Sequence, residues 1–231
     1  MSPRKPAVLR EQGGESLREH LIAAAARLID QRGAAGLSVR DIAREAGVAD
    51  GVLYNYFADK EDLLAHALLA HVGAVMASAP QLLPPAGTGT VADNLQMFVE
   101  RGFAVLSRVT PAFAGLVSQP NVLTRFHRMV GGDAAFSAAP AGHGAHRAPA
   151  DGDGGGRSFG EMLTRYLEAE QAVGRIDDAA DTGALTVLLV GAIHGLVLPR
   201  VLFNPPGATI SMPPGLAERI VRATIIGIAP A

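Results

Sequence analysis

The sequence has no cysteine and no tryptophan, and only 5% of its residues are aromatic. Without cysteine there are no disulfides, no thiolate zinc ligands and no thiol nucleophile. That usage fits a reducing compartment, and a cytoplasmic location is expected. With few aromatics, the core has to come from Ala, Leu, Val and Ile, within a hydrophobic fraction of 48%. This composition suits helices better than strands and predicts an all-α fold. An excess of positive charge is also missing. The net charge is −2, and residues 1–71 hold 9 Lys/Arg against 10 Asp/Glu. The usual electrostatic footprint of a nucleic-acid binder is therefore absent, and a DNA role has to rest on where the charges sit. No apolar run follows Arg4 and Lys5, so no signal peptide is expected. The most apolar segment, 184–198, reads as too short to span a bilayer, carries His194 and precedes Pro199 and Arg200. A buried or interface helix is expected there. A chain of 231 residues can form one large domain or two modest ones.

The most informative stretch is 38–60, SVRDIAREAGVADGVLYNYFADK. Ser38 and Asp41 form an S-x-x-D capping signature. Val39, Ile42, Ala43 and Ala46 recur at helical spacing and give one apolar face. Gly47 stands where a left-handed residue ends a helix, and Val48 is the apolar plug of the turn. Asp50 is placed to cap a second helix over 51–57, with Leu53 and Phe57 inward. Asp59 then caps a third helix that opens with Lys60 and Glu61. A short helix joined by a tight turn to the one before it is the arrangement that places a reading helix in a DNA major groove.

This stretch resembles the DNA-binding head of the TetR family of bacterial transcriptional regulators. The matching residues are Ser38, Val39, Ile42, Ala43, Ala46, Gly47, Val48, Gly51, Leu53, Tyr54, Tyr56, Phe57, Lys60 and Leu63. The YxYF…K ending is the most specific part, and with the preceding helix the resemblance covers 17–76. It implies a three-helix head on a larger helical body for ligand binding and dimerisation. It further implies that the helix after the reading pair links ligand binding to head position. The last two helices would form a four-helix bundle across a two-fold axis. By the same resemblance Ser38, Arg40, Tyr54, Tyr56 and Lys60 contact phosphates. Tyrosine hydroxyls and an ammonium near a helix N-terminus are suited to that. The outward residues of the short helix are Asp50, Gly51, Val52 and Asn55. Asn55 can pair with adenine, Val52 can touch a thymine methyl, and Arg44 can reach a guanine from the helix before. Two residues depart from the family pattern: Ala49 stands where Ser is common, and Asp50 where a basic residue or Pro is common.

The domains are expected at 1–14 (a flexible arm with Arg4, Lys5 and Arg10), 15–78 (the head) and 79–231 (the body). Ser16 and Glu19 read as the capping box of the first helix, whose apolar face is Leu17, Leu21, Ala24 and Leu28 with Ile22, Ala25 and Ile29. Arg32 and Gly33 end it. The helix from Lys60 is predicted to stop before Pro80. Further helices are predicted over 91–109, from Pro111, over 122–130 after a break at Pro120, and from a cap at Ser158 to Gly174. The last two are expected over 179–203 and 214–228, both apolar over more than half their circumference. Segment 131–157 holds eight Gly, eight Ala and two Pro and reads as a mobile loop.

In the body, Phe98, Phe103, Phe113, Phe126, Met129, Met162 and Tyr166 are the candidate lining of an effector pocket for an apolar or aromatic molecule. His127 and His194 are possible polar handles. His143 and His146 with Asp151 and Asp153 have a spacing a metal can use, but the Gly/Ala loop offers no preorganisation, and no metal site or cofactor is expected. Residues 156–160 match G-x-S-x-G in letters, without the strand that motif needs before its serine. No catalytic residues are assigned and an enzyme is not expected. The reading is a ligand-responsive regulator, a homodimer through its last two helices, binding double-stranded operator DNA and released as a repressor by a small effector. The alternative is a helical ligand-binding or enzymatic dimer whose head no longer reads DNA.

Overall fold

A computed structural model describes residues 14–34, 36–130, 159–204 and 208–225. The expected arm with Arg4, Lys5 and Arg10, the Gly/Ala loop with its His and Asp residues, and Ser158 lie outside them. Among the described residues there is no strand, and the fold is all-α. The helices are α1 (Gly14–Arg32), α2 (Val39–Ala46), α3 (Lys60–Ser78), α4 (Val91–Ala114), α5 (Pro120–Met129), α6 (Phe159–Ala172), α7 (Thr182–Phe203) and α8 (Leu216–Ile225), with a 3-10 helix at Asp50–Asn55. They fall into two compact units. One takes the described residues up to Ala77 together with Pro111–Met129, and the other takes Ser78–Thr110 and the described residues beyond Met129.

In the first unit α1 packs on α2. Leu21, Ala24, Ala25, Leu28 and Ile29 are buried from α1, Ile42, Ala43 and Ala46 from α2, and Leu63, Leu64 and Leu68 from α3. The helix starts two residues before Ser16, so Ser16 lies within it rather than at its cap. Polar ties supplement the apolar face. His20 Nε2 lies 3.0 Å from the carbonyl of Ala46, at the end of α2. Arg18 bonds His66 Nε2 at 2.7 Å and lies 5.1 Å from the Phe57 ring centroid. Pro111, expected to start a helix, instead sits inside α4, which runs on to Ala114. Its missing N–H costs one bond within the helix. The helix ends shortly after it, in tight turns such as Leu116 N to the Phe113 carbonyl at 2.9 Å. Pro120 opens α5 rather than only breaking the chain, as its fixed φ and absent donor suit a first helical position.

In the second unit α6 packs against α7, and α7 against α8. A Cβ on Gly102 of α4 would come within 2.7 Å of the Phe159 ring and 3.0 Å of Ile193 Cδ1, so this approach needs glycine. Glu170 of α6 is fully buried and accepts from the Gly87 N–H at 3.2 Å, with Arg175 Nε 3.4 Å away. Asn94 donates to the Tyr166 hydroxyl at 2.8 Å and to the Thr88 carbonyl at 2.7 Å. Burial, then the hydrogen bond to Glu170, pushes the Tyr166 hydroxyl well above its ordinary pKa. These bonds pin the loop before α4 to α6.

The segment expected to be too short for a membrane is part of a 22-residue helix, capped by the Asp181 side chain. By length and composition alone α7 can cross a bilayer. It buries Leu185, Leu189, Ile193 and Val197 and exposes Val187, Leu188, Leu198, Leu202 and Phe203. α8 buries Ala217 and Val221 and exposes Glu218, Arg219 and Arg222.

Candidate nucleic-acid interface

The capping box of α2 is fully formed. Ser38 Oγ accepts from the Asp41 N–H at 3.1 Å, and Asp41 Oδ2 accepts from the Ser38 N–H at 3.1 Å and from its hydroxyl at 2.5 Å. Those bonds, with the Arg44 guanidinium next in effect, hold the Asp41 carboxyl below the usual carboxylate range. Gly47 ends the helix in the left-handed region at φ 67°, where its N–H reaches Ala43 and Arg44 carbonyls. The turn then delivers residues 50–56. They form a 3-10 helix, not the α-helix expected over 51–57. Six residues leave too few i→i−4 bonds to favour the α form, and the tighter turn closes at Tyr56. Asp50 does not cap this helix. Ala49 holds the cap position without a side-chain bond, and Asp50 turns to Arg40.

Leu53 and Phe57 are buried and anchor this element to the core. Tyr54 is 62% exposed. Gly51 and Asn55 are also exposed, while Val52, Tyr56 and Lys60 are half-buried. A shallow apolar hollow between Val39, Leu53, Phe57 and Leu63 opens beside Tyr54 and Lys60. Lys60 opens α3 and has no ion-pair partner among the described residues. Asp59 caps α3 as expected, accepting from the Asp62 N–H at 2.8 Å.

The arginines of this face are occupied. Arg40 Nε lies 3.3 Å from Asp50, and Arg44 lies 2.9 Å from Asp41. Arg125 of α5, which sequence reasoning passed over, bonds both carboxylate oxygens of Asp59 at 2.5 and 2.7 Å. That bidentate contact, ahead of the Asp62 N–H, holds the Asp59 carboxyl below its ordinary range and raises Arg125. A charged residue flanked by Val122 and Phe126 in a short helix was the available signal.

The seven candidate pocket residues separate between the units. Phe113, Phe126 and Met129 belong with the head, and Phe113 meets Phe126 edge-to-face at 5.1 Å. Phe98, Phe103, Met162 and Tyr166 belong to the second unit, where Phe98 packs on Phe159 at 5.2 Å. Phe98, Phe103, Phe126 and Tyr166 are buried, Phe113 and Met162 half-buried, and Met129 exposed. His194 is exposed, with Nδ1 2.9 Å from the Val190 carbonyl.

The sequence model for bacterial regulatory proteins of the tetR family matches residues 21–67, which span α1, α2, the 3-10 helix and the start of α3. Residues 21–67 thus form a TetR-type head. A curated relative, the HTH-type transcriptional regulator AcrR of Shigella flexneri, is 40% identical over 53 residues. That match spans 23% of this chain and 25% of the relative. Two solved structures extend the likeness of fold. A chain assigned to the TetR-family regulators of Mesorhizobium loti MAFF303099 matches with a TM-score of 0.65 at 18% identity, covering 95% of this chain and 100% of that one. The flavonoid-responsive regulator FrrA matches with a TM-score of 0.59 at 18% identity, over 94% of this chain and 99% of that one. Beyond the head, then, the likeness is one of fold.

Proposed function

We propose that this TetR-family chain is a cytoplasmic, ligand-responsive transcriptional regulator that binds duplex DNA as a homodimer. The simplest form is a repressor released from a palindromic operator by a small apolar or aromatic effector. The observation that carries the reading is the head. A capped α2, a left-handed turn at Gly47 and an exposed short helix bearing Tyr54 and Asn55 make a helix–turn–helix suited to a major groove. Tyr56 and Lys60 at its edge are placed for phosphates, with Lys60 at the N-terminus of α3. Val52, Asn55 and Arg44 are the candidates for base edges.

Dimerisation is supported by the exposed apolar face of α7, where Val187, Leu188, Leu198 and Leu202 lie beside exposed Gly191 and Gly195. An apolar or aromatic effector is supported by the fold shared with a flavonoid-responsive regulator. A ligand favouring a conformation with wrongly spaced heads would release DNA, by no more than its differential affinity for the two conformations. No enzymatic role is proposed.

Selection of duplexes from a random pool near physiological salt tests the reading. Enrichment of a two-fold symmetric site is expected, with half-sites about 34 Å apart or a multiple of that. Folded, dimeric protein that enriches no sequence would move the reading to a helical ligand-binding dimer whose head is silent.

A further inference from the structure

Every carboxylate between residues 38 and 60 has a guanidinium beside it. Asp41 pairs with Arg44, Glu45 with Arg27, Asp50 with Arg40, and Asp59 with Arg125. Two of the four also serve helix ends: Asp41 completes the capping box of α2, and Asp59 caps α3. Glu45 ties α2 to α1, and Asp50 ties the 3-10 helix to α2. Asp50 caps nothing. It begins the 3-10 helix, but the cap position belongs to Ala49, which has no side-chain bond. The contact of its carboxylate is with Arg40 Nε at 3.3 Å. Both side chains are open to solvent, Arg40 by 85% and Asp50 by 53%. An acid on the face of a head meant for a polyanion is unfavourable for binding, and here no helix cap requires it.

Resting on the DNA-binding reading above, we propose that Asp50 is a brake on sequence-independent DNA binding and acts through Arg40. Each phosphate neutralised by a cation releases counterions, and this term supplies essentially all non-specific affinity. Arg40 lies in the first turn of α2, where the chain crosses toward the backbone of a duplex in a helix–turn–helix complex. While Asp50 holds it, a phosphate has to displace one anion to gain the other, so the contact adds little. Lys60, which is unpaired among the described residues, keeps its full attraction. The head therefore meets DNA with fewer available cations than its arginine content suggests. Because competing random sites vastly outnumber operators, a weaker grip on them leaves more protein free for the operator.

The test uses the full chain as wild type, Asp50→Asn, Arg40→Ala and the double variant. Asp50→Asn keeps the shape and removes the charge. Each protein is titrated with a random-sequence duplex over a series of salt concentrations, and passed through the random-pool selection. Asp50→Asn is expected to tighten random-duplex binding about tenfold and to steepen its salt dependence by about one phosphate contact. Arg40→Ala in the Asp50→Asn background is expected to cancel both effects, and the selected sequence is expected to stay the same. Random-duplex affinity within twofold of wild type would overturn the proposal. So would a gain that persists without Arg40, which would make Asp50 a general charge rather than a brake on one arginine. A changed base at one position of the selected site would instead make Asp50 a base reader. Failure of the underlying reading looks different, because neither wild type nor any variant then enriches a sequence, and the proposal falls with it.

Discussion

Arg125 holds both carboxylate oxygens of Asp59 while Asp59 caps α3. One carboxylate thus fixes the start of α3 and attaches α5 to the same point. Lys60 follows directly, and Tyr56 lies three residues before. The position of α5 is therefore felt where the candidate phosphate contacts sit.

Asp59→Ala removes the cap and the pair together, whereas Asp59→Asn keeps a competent cap and removes the charge. The alanine variant is expected to lose about 1 kcal/mol through the cap, which lowers Tm by about 2–4 °C in a chain of this size. The asparagine variant is expected to lie between it and wild type. The sign of the pH dependence follows from the depressed Asp59 pKa. Its contribution is complete above the unfolded value near 3.8 and is lost as pH falls through the lower folded value. Melting curves of wild type and Asp59→Asn are expected to differ at neutral pH and to converge as pH drops below 3.8. A constant difference down to pH ~2 would reject the ion pair as its source.

Gly102 reports on packing in the second unit. A methyl there would lie 2.7 Å from the Phe159 ring, itself packed on Phe98. Gly102→Ala is expected to cost about 1–3 kcal/mol by overpacking. Phe159→Leu should recover part of that in the double variant, as contacting sites do not add. Denaturant titration of the four proteins measures the coupling, and strict additivity would place the methyl in open space.

Lys60→Ala and Tyr56→Phe separate phosphate contact from packing. Lys60→Ala is expected to weaken binding to every duplex alike and to reduce the salt slope by about one. Tyr56→Phe keeps the ring, so it should leave Tm unchanged while lowering affinity. Equal loss of Tm and affinity in Tyr56→Phe would assign the hydroxyl to the fold.

On α7, Leu188 is 61% exposed amid other apolar side chains. Leu188→Glu is expected to convert a sedimenting dimer to monomer while helical content is retained. A variant that remains dimeric would move the interface elsewhere.

Much of the head was legible because its signals are local. The capping box of Ser38 and Asp41, the glycine at 47 and the cap at Asp59 each act across a few residues, and each is present where the spacing placed it. Most of the buried faces of α1 and α2 followed from period, although Leu17, Ile22 and Val39 are only half-buried. The type of the short helix over 50–55 did not, because a six-residue segment can close as either helix type. Pro111 was read as a boundary because its lost bond is a local cost, yet the helix continues for three further residues around it. The seven pocket candidates illustrate the opposite limit. Phe113 and Phe126 are as apolar as Phe98 and Phe103, and no sequence pattern assigns the two pairs to different units.

The all-α class, the helix–turn–helix and the family of the head are legible in the chain without its fold, since period, caps and turn glycines are written within single turns of chain. Tertiary structure alone decided the pairings of Arg40 with Asp50 and of Arg125 with Asp59, and the enclosure of Glu170 beside the Gly87 N–H. These partners are 10, 66 and 83 residues apart. A charged side chain has many partners of opposite sign available along a chain, and only the folded backbone brings one of them within hydrogen-bond reach.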